Sequence, residues 1–252
     1  MNGNHEGARR ALRRRERACR RSPVVSLCLF PILLALCLAS GLARAGEAEW
    51  RMLYEQVDLH FQRGDLEQAE LFAREALKEA EASLGATSRA AELSLGKAVF
   101  ILRLRGKLDE ALALATRAVG VSAKLHGPDD PQTALALQGE AEVLFAQKKY
   151  GAAERLHRRA LAIFVRRYGE KNFQTATSLH NVGTMLLAQD KYLEAEKFLR
   201  RALAVKEQVL PPGHRSIAHT LNNLALALEA QGKTAEAANY RGRIAAIEKR
   251  KD

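Results

Sequence analysis

The sequence predicts an all-α fold, a solenoid of about five antiparallel helix pairs. First, apolar residues after residue 45 recur at helical spacing, and no strand pattern competes with them. Second, alanines recur every 42 residues in five copies, as in LEQAELFAREAL and LDEALALATRAV. Third, short polar turns and glycines separate the helical segments at the same period. A repeated helical hairpin that buries one face against the next copy builds a solenoid.

The 42-residue register holds at two kinds of position in every copy. The small position is occupied by Ala69, Ala111, Ala153, Ala195 and Ala237. The large position is occupied by Leu53, Leu95, Leu137, Leu179 and Leu221. Four copies have a second alanine seven residues after the first, and residues seven apart share one helix face, where a small side chain lets the paired helix approach. The predicted units are 47–86, 87–128, 129–170, 171–212 and 213–252.

The fourth unit shows the predicted helices most clearly. Its first helix is predicted over 173–189, its turn is QDK, and its second helix is predicted over 192–210. The glycine that follows a second helix, as at Gly85, Gly127 and Gly169, is predicted to be a left-handed C-cap. The first unit departs most from the pattern and suits a cap, and the polar end of the last helix suits a solvated end of the stack.

Residues 1–45 read as a targeting segment. Nine arginines against two glutamates lead into an uncharged run over 22–42, and Ala43 and Ala45 then form a small-x-small site. This order predicts a secretory signal that is cleaved after Ala45. The alternative is an uncleaved signal-anchor, because about 20 apolar residues suffice to span a bilayer. Both interpretations place the body across the membrane, periplasmic or secreted if cleaved and otherwise membrane-anchored.

Charge and cysteine usage restrict the function classes. The net charge is +11, but +7 belongs to residues 1–45, and the remaining 31 basic and 27 acidic residues give only +4. No basic stripe with interleaved aromatic residues occurs in the body, so nucleic acid is not the predicted partner. All three cysteines lie in the leader, which excludes a disulfide or a thiolate site from the body. The body also lacks HExxH, GxSxG and a Gly-rich phosphate loop, so no catalytic residue, metal site or cofactor is predicted.

The internal spacing distinguishes among helical repeats whose period is in the forties. The fourth unit places large and small residues in the tetratricopeptide order at Leu179, Val182, Gly183, Leu186, Ala195, Leu199 and Ala202. The segments LHGPDDPQTALALQGEAEVL and PPGHRSIAHTLNNLALALEAQGKTAEAA resemble the 42-residue tetratricopeptide repeats of the kinesin light chain type. The resemblance covers about residues 47–252 and implies a right-handed superhelix whose first helices line a concave groove.

Polar residues in the predicted first helices lie off the buried stripe. From Leu221, Asn222 lies about 100° and Asn223 about 200° round the helix. The resemblance places such positions in the groove, where an amide can pair with the backbone of an extended peptide. The alternative is that these amides satisfy neighbouring helix ends or face water. The candidate groove residues are Tyr54, Lys97, Gln138, His180, Asn181, Thr184, Asn222 and Asn223.

The predicted function is that of an exported, non-enzymatic module that binds a protein or an extended peptide in the groove. A membrane enters this prediction only through the N-terminal segment, if that segment stays uncleaved. The carboxylate-clamp pattern of chaperone-binding tetratricopeptide domains is absent, because Lys97 is the one lysine at the candidate positions. The alternative function is a membrane-tethered scaffold or assembly subunit that packs side to side.

Overall fold

A computed structural model describes residues 45–249. The predicted signal or anchor at residues 1–44 lies outside the described residues. The chain divides into two units, Met1–Ala48 and Glu49–Asp252, and the described part of the first, 45–48, is helical. Within residues 45–249, no helix is both long and apolar enough to span a bilayer.

The described chain is helical, and no strand occurs between residues 45 and 249. The helices are α1 (45–62), α2 (Leu66–Glu79), α3 (Arg89–Leu104), α4 (Leu108–His126), α5 (Pro131–Ala146), α6 (Tyr150–Tyr168), α7 (Phe173–Leu187), α8 (Tyr192–Val209), α9 (Arg215–Glu229) and α10 (Thr234–Glu248). A π-helical turn, Ala80–Leu84, extends α2. Odd-numbered helices are the first, and even-numbered helices the second, of consecutive antiparallel pairs. The prediction of an all-α stack of helix pairs is confirmed.

Small residues set the close approach within each pair. The five repeat alanines of the second helices, predicted to be small contact residues, are at most 1% exposed. In the fourth unit the approach is closest at Gly183 of α7, where an added Cβ would lie 2.7 Å from Leu199 Cγ of α8. That distance is shorter than carbon atoms tolerate, so glycine is a packing requirement at this position.

Side-chain caps begin four of the first helices at the repeat period. Each cap accepts a hydrogen bond from a backbone N–H of the first turn, and these caps are Ser88, Asp130, Asn172 and His214. Such a cap satisfies one of the donors that a helix start leaves unpaired and contributes about 1 kcal/mol. The second helices α4, α6, α8 and α10 begin without a side-chain cap.

The glycines after the second helices differ from the predicted C-cap conformation. Gly85, Gly127 and Gly169 have positive φ, at 99°, 102° and 80°, but their ψ values of 146°, 155° and 178° are extended rather than left-handed helical. The extended ψ allows the glycine carbonyl to serve the next helix. Thr133 Oγ1 donates to Gly127 O at 2.7 Å, and Thr175 Oγ1 donates to Gly169 O at 2.8 Å.

Carboxylates on the second helices bind the turn of the following unit. Glu196 of α8 accepts hydrogen bonds from Arg200 on its own helix, and from Gln231 and Lys233 beyond α9, at 2.8, 2.9 and 2.8 Å. Equivalent links start from Glu70 and Glu154. These bonds fasten one unit to the next.

Candidate ligand-binding groove

First helices of consecutive units lie side by side. Contacts join α3 to α5 and α7 to α9. Second helices are bridged by long Arg–Glu pairs instead, namely Arg74–Glu110, Arg158–Glu194 and Arg200–Glu236. First helices thus lie closer together than second helices, and this places the first helices on the inner face of a curved stack.

Two of the candidate residues join the first two units. Lys97 of α3 lies over the ring of Tyr54 in α1, with Nζ 3.4 Å from the ring centroid. The same Nζ donates to Tyr54 O at 3.0 Å and to Asp58 Oδ2 at 2.6 Å. Burial, and then the charge of Asp58, raise the pKa of Tyr54, so the phenol stays neutral. Lys97 is therefore fixed by its neighbours on α1.

Two further candidates bond to the next first helix. Gln138 Nε2 of α5 donates to Ser178 Oγ of α7 at 2.9 Å. His180 Nδ1 lies 3.1 Å from Thr220 Oγ1 of α9. Burial lowers the pKa of His180 to about 3, helped by the charge of Lys206, so this imidazole is neutral at physiological pH. These contacts align the first helices of consecutive units.

The three asparagines have different surroundings. Asn223 Nδ2 donates to Thr184 Oγ1 at 2.9 Å. Asn222 lies apart from the other candidates, because its Oδ1 accepts a 2.6 Å bond from Arg241 of α10. Asn181 is partly buried and makes no hydrogen bond within the described residues. His180, Asn181, Thr184 and Asn223 together line a cavity of about 410 Å³. The structure thus brings four of the candidates to one place.

An apolar cavity of about 390 Å³ lies on the first helices of the second and third units. We call it the groove pocket; its lining includes Leu93, Gly96, Lys97 and Phe100 of α3 with Leu135, Ala136 and Gly139 of α5. Leu135 is 44% exposed and Phe100 is 39% exposed. The pocket thus offers apolar side chains to a ligand, with the ammonium group of Lys97 beside them.

Two helical glycines, Gly96 and Gly139, open this pocket. No atom lies within 4 Å of a Cβ built at either position, in contrast to Gly183. Glycine in a helix interior costs about 0.5–1 kcal/mol relative to alanine. Packing does not require these two glycines, and what they provide is open space in the pocket.

Sequence reasoning placed Gly96 and Gly139 at groove positions without recognising their importance. The available signal was a glycine inside an amphipathic helix, far from either end. The described residues hold no group of three His, Cys, Asp or Glu side chains arranged for a metal ion.

Comparison with known proteins agrees with this architecture. The family model "Tetratricopeptide repeat" matches residues 89–166 and 174–247. Among curated proteins, none matches the chain. One similar solved structure contains the nearly identical TPR-like repeats of a Podosopora anserina protein assigned to the kinesin light chains; identity is 20%, coverage is 81% of this chain and 96% of that one, and the TM-score is 0.69–0.70 depending on the variant.

Two other solved structures share the fold. BtubC (BKLC) from P. vanneervenii is 22% identical over 84% of this chain and 89% of its own, with a TM-score of 0.68. The apo form of RapI is 19% identical over 81% and 72%, with a TM-score of 0.70. At these identities the likeness concerns the fold alone. The family model covers more than half of the sequence, and this chain therefore belongs to the tetratricopeptide repeat family.

Proposed function

We propose that this chain is a non-enzymatic interaction module whose first-helix groove binds a segment of another protein, with an apolar side chain of that segment in the groove pocket. The observation that carries the proposal is the pair of helical glycines, Gly96 and Gly139, which the packing does not require and which open the pocket. A stability cost without a structural return is expected where a position serves a ligand.

The surroundings of the pocket suit an extended segment. Burying one large apolar side chain contributes about 1.5–3 kcal/mol, and the exposed faces of Phe100 and Leu135 supply the contact surface. Farther along the groove, the amide of Asn181 makes no bond to the described chain and offers both a donor and an acceptor to a peptide backbone. Apolar anchoring combined with backbone pairing is a general mode of peptide recognition.

Site-specific photo-crosslinking in living cells tests which face binds. A photoreactive amino acid replaces Leu135 in the groove or, as a matched control, Leu193 of α8, which is 66% exposed on a second helix. We expect a crosslinked protein from position 135 and none from position 193. Crosslinks confined to position 193 would contradict groove binding and support the scaffold alternative, in which the solenoid acts by side-to-side packing.

We also propose that the chain is exported, on the basis of its leader sequence alone. The expected mature protein begins at Gly46, because the small-x-small site closes the apolar run. N-terminal sequencing of the protein purified from the compartment across the membrane tests this. A protein that still contains residues 24–42 would contradict cleavage and favour the signal-anchor.

A further inference from the structure

A second cavity, of about 330 Å³, lies where α7, α8 and α9 meet. We call it the basic pocket; it is lined by Thr177, His180, Lys206, His214, Arg215, Ser216 and His219. None of these lining residues is acidic. Lys206 comes from a second helix, which explains why the inspection of groove positions in the sequence did not find it.

Lys206 is the buried cation of this pocket and is 1% exposed. Its Nζ donates to Thr220 Oγ1 at 2.9 Å and to Ser216 O at 3.3 Å. An ammonium group has three N–H donors, so one remains after these two bonds. Among the described residues, no carboxylate forms an ion pair with Lys206, whereas other nearly buried charges, such as Glu196, are paired. A buried charge without a counter-charge is costly.

The pocket supplies further donors at its exposed side. Ser216 N donates to His214 Nδ1 at 3.1 Å, so the hydrogen of a neutral His214 ring resides on Nε2. Arg215 Nε donates to His219 Nε2 at 3.0 Å, so the hydrogen of a neutral His219 ring resides on Nδ1. Each ring thus keeps one N–H, and the guanidinium of Arg215 keeps further N–H groups.

We propose that the basic pocket binds an oxyanion, a phosphate or a carboxylate group. Three independent features support this: a buried ammonium group that lacks a counter-charge, donors on three neighbouring residues, and the N-terminal end of α9, whose backbone dipole favours negative charge. An oxyanion supplies the missing counter-charge and accepts the remaining hydrogen bonds. This inference does not rest on the proposed peptide ligand, because a free anion suffices to test it.

Titration of the purified full chain with inorganic phosphate provides the test, at constant pH and ionic strength. The side-chain NMR signals of His214 and His219 report binding, acetate probes a carboxylate, and chloride serves as the control for a simple anion. We expect saturable shifts with phosphate, with or without a response to acetate, and no saturation with chloride. An equal response to chloride, or no saturation with phosphate, would overturn the proposal.

Variants locate the site. Lys206→Met keeps the length of the buried side chain and should weaken phosphate binding at least about tenfold. The matched control Lys197→Met removes an exposed lysine from the same helix and should change the affinity less than about twofold. If Lys206→Met does not fold, Arg215→Gln at an exposed position replaces it, and the expected direction is the same. Unchanged affinity in Lys206→Met or Arg215→Gln would contradict the assignment.

Discussion

The link from Glu196 to the following unit offers a quantitative prediction, with Glu196→Gln as the perturbation. The Glu196 side chain is 12% exposed and pairs with Arg200 and Lys233. Burial alone would raise its pKa. The hydrogen bonds from Lys233, Arg200 and Gln231 outweigh burial and lower the pKa from 4.5 to about 2. Glutamine keeps the shape of the side chain but removes the charge.

The magnitude follows from linkage between pKa and folding. One pKa unit corresponds to about 1.4 kcal/mol, so the ionised Glu196 stabilises the fold by roughly 3 kcal/mol at neutral pH. Because the folded pKa is lower than the unfolded one, this contribution is fully present above about pH 4.5 and is lost as the pH falls toward 2. At pH 3 roughly 1.4 kcal/mol remains. Glu196→Gln should therefore destabilise the protein strongly at pH 7 and less than half as much at pH 3.

Urea denaturation of both proteins at pH 7 and pH 3 measures this difference. The control is Glu194→Gln, because Glu194 is 58% exposed and lies 3.7 Å from Arg158; exposed pairs of this kind contribute about 0–1 kcal/mol. A loss at pH 7 no greater than that of the control would refute the reasoning. An equal loss at the two pH values would show that the charge is not the cause.

Three further predictions concern packing and the groove, and thermal melts check each of them. Gly183→Ala should destabilise by about 1–3 kcal/mol, because its Cβ would overlap Leu199; a melting temperature equal to that of the parent would contradict the close approach. Ala195→Leu should cost a similar amount, since Ala195 is fully buried, and an unchanged melt would show that the site is exposed. Asn181→Ala should change stability by less than about 0.5 kcal/mol, whereas Asn223→Ala loses its bond to Thr184 and should cost about 0.5–1.5 kcal/mol. The reverse order of the two asparagine variants would contradict the assigned contacts.

The fold was predictable because its determinants are local or periodic. The buried repeat alanines and the small residue at Gly183 follow directly from the 42-residue register. The extended ψ of Gly127 was not predictable from glycine alone, because it depends on the hydroxyl of Thr133 in the next helix.

The candidate site was predictable only in part, since its side chains meet partners about 40 residues away in the sequence. The register placed Asn222 and Asn223 off the apolar stripe, but it could not show that Asn222 turns toward Arg241. Nor could it show that Lys206, on a second helix, lies buried without a carboxylate partner. Contacts of this kind depend on the distance between stacked units, which no single unit specifies.

The affinity of a crosslinked partner segment for two glycine variants tests the central claim most directly. Gly139→Leu fills the groove pocket, whereas Gly120→Leu adds the same side chain in open space on α4. Both should fold at least as well as the parent, because leucine favours a helix more than glycine does. Calorimetry should show that Gly139→Leu weakens binding at least about tenfold, the loss expected when one buried apolar side chain is displaced, and that Gly120→Leu binds like the parent. Equal affinities of Gly139→Leu and the parent would contradict the account.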